Sequence, residues 1–472
     1  MRVSHRFTTG SARFDEDNLV SDAGLVPLLG LAEQTGLAGI IAEKVSIKAP
    51  RVKSGSANLA PKLLTVIAGM CAGADSIDDL DMLRTGGMPI LFDGVYAPST
   101  LGTLLREFSF GHARQLESVL REHLVTLAER TPVLAGLADQ AFVDIDSLLR
   151  PVYGHAKQGA SYGHTKIAGK QVLRKGLSPL ATTISTTHAA PVIAGMRLRA
   201  GKTGSGKGAG RMVAQAPDSR RHRPRGRCDG EDPGPRRLRL RQPRGGARLS
   251  ARQRRVLAGD DEEPGHRAGH RLDPGHGLDP GALPRGRAGS RHRRVDLRRR
   301  SRRGHLYRLR RHQRPDHRPA GGTPGQDARH PDALFPVWRY HPFFTNTDLP
   351  TAQADIVHRR HAIIETVFAD LIDGPLAHLP SGHFGANSAW TLCAAIAHNL
   401  LHATGILAER PHTRARGATL RRQLISVPAR LARPARAPVL HLPSHWPWAP
   451  AWLQLWNQTI GHTIGHSPPA AA

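Results

Sequence analysis

The sequence contains only three cysteines, at positions 71, 228 and 393, and no two of them have the Cys-x-x-Cys spacing. This scarcity argues against a disulfide framework and against a cysteine-based zinc site, and it is typical of proteins from a reducing compartment. Long apolar runs are also missing, because 63–74 is short and 389–401 is broken by His398 and Asn399. Neither run predicts a bilayer-spanning helix, and the polar first residues do not resemble a secretory signal. We therefore expect a cytoplasmic protein with no membrane partner.

Residues 217–330 lack lysine, isoleucine, phenylalanine, methionine, tryptophan and asparagine, yet they contain 32 arginines. This stretch also has 17 glycines and 12 prolines, so it cannot bury enough apolar surface to offset the entropy lost on ordering. We expect a disordered Arg/Gly/Pro-rich middle segment. It carries +19 of the formal net charge of +29, and the remaining chain is only modestly basic. The positive excess predicts a polyanionic partner, DNA or RNA.

The flanking regions have the composition of folded protein. Apolar residues recur at helical spacing over 19–130, which predicts a helical region with a long helix near 112–130. Ser21 could cap a helix starting at Asp22, although Pro27 moves the expected start closer to residue 26. From residue 141 the period changes, and three strands are predicted: Phe142–Asp146, Thr182–Thr186 and Val192–Leu198.

After the arginine-rich stretch, helices are predicted over 355–372 and 386–404. The end of the chain predicts a hairpin from 424–431 and 439–442, followed by a short Trp-rich helix near 450–456. The chain is therefore expected to have an α/β fold.

Two aspartates on a predicted strand could form a site. Asp144 and Asp146 are two apart on a predicted strand, so their carboxylates project from one face. A buried carboxylate is costly unless it is paired or bound to a metal, so the pair is a candidate divalent-metal site. The alternative is a strand-end aspartate satisfied by backbone N–H groups. Glu365 lies in the predicted helix 355–372, where its surroundings indicate a solvated charged face.

Two other patterns are weaker. His358 and His361 have the spacing of a His-x-x-His zinc pair, but no further ligand lies near them in the sequence. Residues 201–208 approach the P-loop pattern, but Gly208 stands where a Ser or Thr should hold Mg²⁺. A flexible basic turn accounts better for this glycine-rich stretch.

Several stretches together resemble bacterial insertion-sequence transposases of the DDE type. They are 18–25, 97–102, 142–147, 153–160, 197–210, 358–365, 378–382 and 384–387. The resemblance extends over 1–216 and 327–465, about three quarters of the chain. It implies an RNase H-like α/β core preceded by a helical DNA-binding region, with a β-rich insertion between the second and third acids.

The resemblance also implies a site. In the family two Asp and one Glu hold two Mg²⁺ (or Mn²⁺), which activate water and then the 3′-OH for attack on phosphate. Asp146 matches the first acid, Asp144 is its strand neighbour and Glu365 matches the third. The pair Arg359 and Arg360 would meet DNA phosphate. A further basic residue of the family is replaced here by an isoleucine at position 372.

The second acid should fall within the arginine-rich stretch, but no strand is predicted there. Synonymous codons for 235–245 can be chosen so that a one-nucleotide shift encodes RGDSAYGNRAV, which resembles the family's segment around the second acid. Codons for 259–266 give VMTKNPA in the same frame. We therefore hypothesise a compensated pair of frameshifts, near 216 and near 326, which the gene's nucleotide sequence would test.

The predicted organisation has five parts. They are a helical DNA-binding region (1–135), the first part of an RNase H-like core (136–216), a disordered Arg-rich segment (217–326), the last part of the core (327–407) and a basic tail (408–472). The expected function is DNA strand cleavage and strand transfer, lost in the chain as written because the second acid is missing. Expected partners are transposon ends and target DNA, with a homodimer when active and a nucleoid-associated location. The alternatives are a noncatalytic DNA-binding protein that uses the basic arm and an RNase H-like nuclease.

Overall fold

A computed structural model of the chain describes residues 12–47, 55–92, 94–137, 139–167, 170–204, 207–209, 212, 363–433 and 438–461. The predicted disordered segment 217–326 lies outside the described residues, as do Arg359, Arg360 and the His358/His361 pair. The described part is a mixed α/β structure in which helices surround three small antiparallel sheets.

The described residues between Leu25 and Arg130 form the predicted helical region. Its α-helices are α1 (Leu25–Gln34), α2 (Leu37–Lys44), α3 (Leu59–Ala72), α4 (Met88–Leu91), α5 (Pro98–Arg106) and α6 (Phe110–Arg130), with a 3₁₀ turn at Asp78–Arg84. The first helix starts at Leu25, later than the Asp22 start, and Ser21 donates to Asp22 Oδ2 at 2.6 Å instead of capping it. The long helix starts at Phe110 because Ser109 and His112 form a capping box.

Three sheets follow from the strand periodicity. Their strands are β1 (Leu19–Val20), β2 (Phe142–Ser147), β3 (Arg150–Pro151), β4 (Ser161–Ile167), β5 (Lys170–Leu177), β6 (Leu180–Ser185), β7 (Val192–Arg197), β8 (Ala429–Ala432) and β9 (Val439–His441). The strand orders are β2–β6–β7, β3–β5–β4 and β1–β8–β9. The three predicted strands, which are β2, β6 and β7, therefore form one three-stranded antiparallel sheet, here called the meander although β3 to β5 lie between β2 and β6 in the chain. Strands β8 and β9 form the predicted C-terminal hairpin.

The remaining helices are α7 (Ile364–Ile372), α8 (Phe384–Leu407), α9 (Gly417–Leu420) and α10 (Ala449–Thr459), with a π-helical turn at Arg421–Ile425. Helix α8 is the centre of the core, because every residue from Ala386 to Ile406 is buried. It contacts α3, α5 and α6 from the helical region and β7 from the meander. A helix that is apolar all round is expected to be buried on all sides.

Helix α8 also closes the outer edge of the meander. The Asn399 side chain accepts from Ile193 N at 2.7 Å and donates to Ile193 O at 2.9 Å. These bonds replace the strand partner that β7 lacks at this point, beside the register shift between Thr182 and Thr183. Within the described ranges, no single helix is long and apolar enough to cross a membrane, and α1 with α2 meets that test only as a pair bent by 56°.

Candidate active site

The two predicted strand aspartates lie on β2. Asp144 pairs across the sheet with Thr183 and Asp146 with Ala181, so the alternation of the strand places both carboxylates on one face. Asp144 is half-buried, whereas Asp146 is exposed and its Oδ1 accepts from Ser147 N at 2.7 Å. The Asp146 carboxylate therefore lies at the surface of the sheet, whereas that of Asp144 is partly covered.

A buried arginine is electrostatically coupled to Asp146. Arg199 is 8% exposed and donates to the carbonyls of Gly204 at 3.0 Å and Lys207 at 2.8 Å. Burial lowers the pKa of Arg199, and the negative charge of Asp146 opposes this shift. The turn that follows β7 holds the Arg199 guanidinium in place through these two hydrogen bonds. The sequence contained Arg199 within the family-like stretch but gave no sign that it would act on Asp146.

Glu365 lies in the first turn of α7 and is exposed. The N-terminus of a helix carries a partial positive charge, which favours a carboxylate there. Helix α7 contacts β2, so the fold brings the helix of Glu365 beside the strand of Asp144 and Asp146. This neighbourhood brings together elements whose residues Asp146 and Glu365 are 219 positions apart in the chain.

The carboxylates do not form a closed ligand set among the described residues. A group of three His, Cys, Asp or Glu side chains with ligand atoms all within 4.8 Å occurs there at Asp370, His398 and His402, and it excludes Asp144, Asp146 and Glu365. Asp146 and Glu365 supply oxygen atoms, which suit Mg²⁺, and Mg²⁺ is usually held by one or two carboxylates together with substrate phosphates. Among the described residues, Asp144, Asp146 and Glu365 therefore do not form a cluster of metal ligands.

The buried Asp370 group is a polar network that ties α7 to α8. His402 Nε2 lies 3.2 Å from Asp370 Oδ2, and Arg416 Nε donates to Asp370 Oδ1. Burial by itself would raise the pKa of Asp370, but the hydrogen bonds from His402 and Arg416 outweigh it and hold the pKa below its usual value. Burial, with a contribution from His402, lowers the pKa of His398 to about 3.

A cavity of about 20 Å³ lies beside this network and is also lined by Arg421. That volume has room for about one water molecule. Asp370 already accepts at both oxygens, and two guanidinium groups lie near it, so the charge balance favours an ion-paired network over a bound cation. His398 and His402, four apart in an otherwise apolar run, were the signal for this network in the sequence.

Comparison with models of known protein families gave no match, and neither did comparisons with curated proteins and with solved structures.

Proposed function

We propose that this chain is a DNA transposase of the DDE type that retains the first and third acids of its site but has lost the second. The observation that carries the proposal is the contact between β2, which bears Asp144 and Asp146, and α7, which bears Glu365. We also propose an RNase H-like fold, in which the β2–β6–β7 meander and α7 form the part of the core that surrounds Asp146 and Glu365.

Each side chain has a defined part in this scheme. Asp146 and Glu365 would hold Mg²⁺ through carboxylate oxygens, and the bound ion would supply Lewis-acid stabilisation of charge at the phosphate. Asp144, on the same face of β2, would be a further carboxylate ligand of the ion. The positive charge of Arg199 lies near Asp146 within the same fold. Arg359 and Arg360 would contact the DNA backbone.

The chain as written should bind DNA without completing strand transfer. With the second acid missing, the metals lack a ligand and the in-line geometry of the two-metal mechanism is not enforced. Its partners would be transposon ends and target DNA, and the active form would be a homodimer. The cofactor would be Mg²⁺ or Mn²⁺, and the location would be the cytoplasm, associated with the nucleoid.

A cleavage assay on DNA tests the proposal. The chain as written should give only background cleavage with Mg²⁺, whereas a gene with its reading frame restored between 217 and 326 should give Mg²⁺-dependent strand cleavage. In the restored protein, Asp146→Asn and Glu365→Gln should each lower the rate by more than roughly 100-fold, beyond the loss typical for outer-shell partners of a metal. Asp139→Asn, a matched change at an exposed aspartate, should leave the rate unchanged.

The result also separates the main alternative. The arginine-rich stretch, with a net charge of +19, favours a noncatalytic protein that binds DNA through a basic arm. DNA binding that survives Asp146→Ala and Glu365→Ala but is lost on deletion of 217–330, with no cleavage by the frame-restored protein, would support the basic arm and overturn the transposase.

A further inference from the structure

The part of the chain that follows Asp146 has an unusually one-sided charge. Residues 147–217 contain eleven lysines and arginines and not one aspartate or glutamate. This stretch includes strands β3 to β7, so most of it is folded and lies outside the arginine-rich segment. A folded segment whose formal charges are all positive attracts a polyanion.

The charges within this stretch fall into two groups. Arg197 is used inside the fold, where it pairs with Glu117, and Arg199 is bonded to backbone carbonyls. By contrast, Arg174, Lys175 and Lys202 form no ion pair with any described residue. Arg174 and Lys202 are exposed and Lys175 is half-buried, so these charges are accessible to solvent and are not neutralised within the core.

These residues are carried by the hairpin of β4 and β5. Its register pairs Tyr162 with Lys175 and His164 with Leu173, and such directly opposed side chains share one face of the ribbon. Tyr162 is 63% exposed and Leu173 is 53% exposed, although large apolar groups of a folded segment are normally buried. The face therefore combines an uncovered aromatic ring with a cation beside it.

A second basic element is joined to the base of the hairpin by close backbone contact. A Cβ on Gly201 would lie 2.3 Å from Ser161 O and 2.5 Å from Gly176 O, so only glycine allows this approach. Lys202 N donates to Ser161 Oγ at 2.8 Å. The glycine-rich turn that resembles a P-loop thus packs on the face of the ribbon that carries Gly163 and its partner Arg174, whereas Tyr162 and Lys175 lie on the opposite face. We refer to Tyr162, His164, Arg174, Lys175 and Lys202, which lie on the two faces of this ribbon, as the basic hairpin surface.

The hairpin is also continuous with the strand of the candidate site. β2 runs into β3 after Ser147, and β5 runs into β6, where Ala181 faces Asp146. Lys175 lies six residues before Ala181, so their separation is at most roughly 20 Å, the length of six extended residues at about 3.3 Å each. That distance corresponds to roughly six nucleotides of one DNA strand.

We propose that the basic hairpin surface holds DNA with unpaired bases in the part of the chain that leads into β6, with the Tyr162 ring stacked on a base and Lys175 on a phosphate at one face of the ribbon, and with Arg174 and Lys202 on phosphates at its other face. A positive groove with an exposed aromatic ring is the combination that binds single strands without sequence preference. The choice of DNA as the polyanion rests on the proposed function, whereas the location of the contact rests on the hairpin itself.

Photo-crosslinking localises the contact even though the arginine-rich segment also binds DNA. The full chain is irradiated with a single-stranded oligonucleotide that contains 5-bromodeoxyuridine, and the crosslinked peptides are mapped by mass spectrometry. Crosslinks are expected in peptides from 153–177. The double variant Arg174→Ala with Lys175→Ala should lower their yield by roughly fivefold or more, and Tyr162→Ala should do the same, a factor that matches the lower range for loss of one base stack. Tyr162→Phe should retain the crosslink.

The matched control removes the same charge elsewhere. Arg422→Ala with Arg430→Ala changes two exposed arginines outside the hairpin and should leave the hairpin crosslinks unchanged. Circular dichroism confirms that each variant is folded, and Arg174→Gln with Lys175→Gln replaces the alanine pair if that pair does not fold. Equal losses from control and hairpin variants would overturn the assignment, as would crosslinks confined to peptides outside the hairpin.

The nucleic acid is tested in parallel arms. Stronger crosslinking of the hairpin to a duplex of the same sequence would overturn the unpaired-base contact, and stronger crosslinking to the corresponding 5-bromouridine RNA would overturn DNA as the occupant. If the hairpin is not crosslinked while Asp146→Asn still abolishes cleavage in the frame-restored protein, only this inference fails. If the hairpin is crosslinked and the frame-restored protein does not cleave, only the proposed function fails.

Discussion

Arg197 at the end of β7 donates two hydrogen bonds to Glu117 of α6, from Nε to Oε1 and from a terminal nitrogen to Oε2, each 2.9 Å long. Glu117 is 5% exposed and is also paired with Arg114. The carboxylate therefore lies between two cations at the junction of the helical region and the meander. Bidentate geometry of this kind is the strongest form of ion pair available to arginine.

Glu117→Ala should destabilise the folded protein by about 2 kcal/mol, because it removes the buried carboxylate that accepts hydrogen bonds from the half-buried guanidinium groups of Arg197 and Arg114. The free energy of unfolding in urea, followed by circular dichroism, measures the change. Asp81→Asn breaks the exposed Asp81–Arg84 pair and should cost less than about 1 kcal/mol. Equal costs for the two variants would show that the Arg197–Glu117 pair is not a structural junction.

Asn399→Leu should destabilise the protein by about 2 kcal/mol, because it leaves the N–H and C=O of Ile193 without their side-chain partner in the core. The unfolding midpoint in urea should fall without a change in the slope of the transition. Asn457 is an exposed helical residue, so Asn457→Leu serves as the matched control. A similar midpoint for both variants would contradict a stabilising contact between Asn399 of α8 and Ile193 of β7.

Stability should fall as the pH is lowered from about 6.5 towards 4, and His123 should contribute to this loss. Burial lowers the pKa of His123 to about 4, and its Nε2 lies 3.0 Å from the buried Thr35 hydroxyl. Below pH ~6.5 His123 becomes protonated in the unfolded chain but stays neutral in the folded chain. The free energy of unfolding therefore decreases by up to about 1.4 kcal/mol per pH unit.

His123→Gln should therefore flatten the dependence of the unfolding free energy on pH between roughly 4 and 6.5. His155→Gln changes an exposed histidine and should leave the dependence unchanged. A wild-type slope that persists in His123→Gln would assign the effect to other groups, of which buried His398 is the first candidate.

Cys71 and Cys393 should resist alkylation in the folded protein. Both are buried free thiols, and burial raises the pKa of each to about 12, so the reactive thiolate is scarce at pH 8. Peptide mapping after iodoacetamide should find these two unmodified without denaturant and fully modified in 6 M guanidinium (a concentration of roughly that order unfolds most domains). Rapid modification under native conditions would contradict their burial.

Helical spacing and strand alternation predicted α1, α6, α8, α10 and the strands β2, β6 and β7 within a few residues, together with the C-terminal hairpin. These elements depend on local patterns of side chains. The strands β1 and β3 to β5 were not predicted. The first helix begins at Leu25 and not at Asp22, and the N–H groups of Ala23 and Gly24 donate to the carbonyls of Val427 and Ile425, long-range contacts that the sequence alone does not show.

The candidate site was only partly predictable. The sequence pointed to Asp146 and Glu365, but the roles of Arg199 and of the Asp370 network depend on contacts between residues distant in the chain. The Asp370–His402 and Asp370–Arg416 contacts join positions 32 and 46 residues apart. No spacing rule predicts such pairs, because they form only when several helices pack together.

The sequence by itself determined the one-sided charge after Asp146, the strand that carries both aspartates and the arginine-rich composition of 217–330. These are local properties, since charge and period are carried by consecutive residues. Only the tertiary structure decided that α7 lies against β2, that Arg199 is coupled to Asp146, and that the glycine-rich turn packs on the base of a basic hairpin. The physical reason is that burial and long-range pairing arise from packing, much of it around α8, which contacts both the helical region and β7.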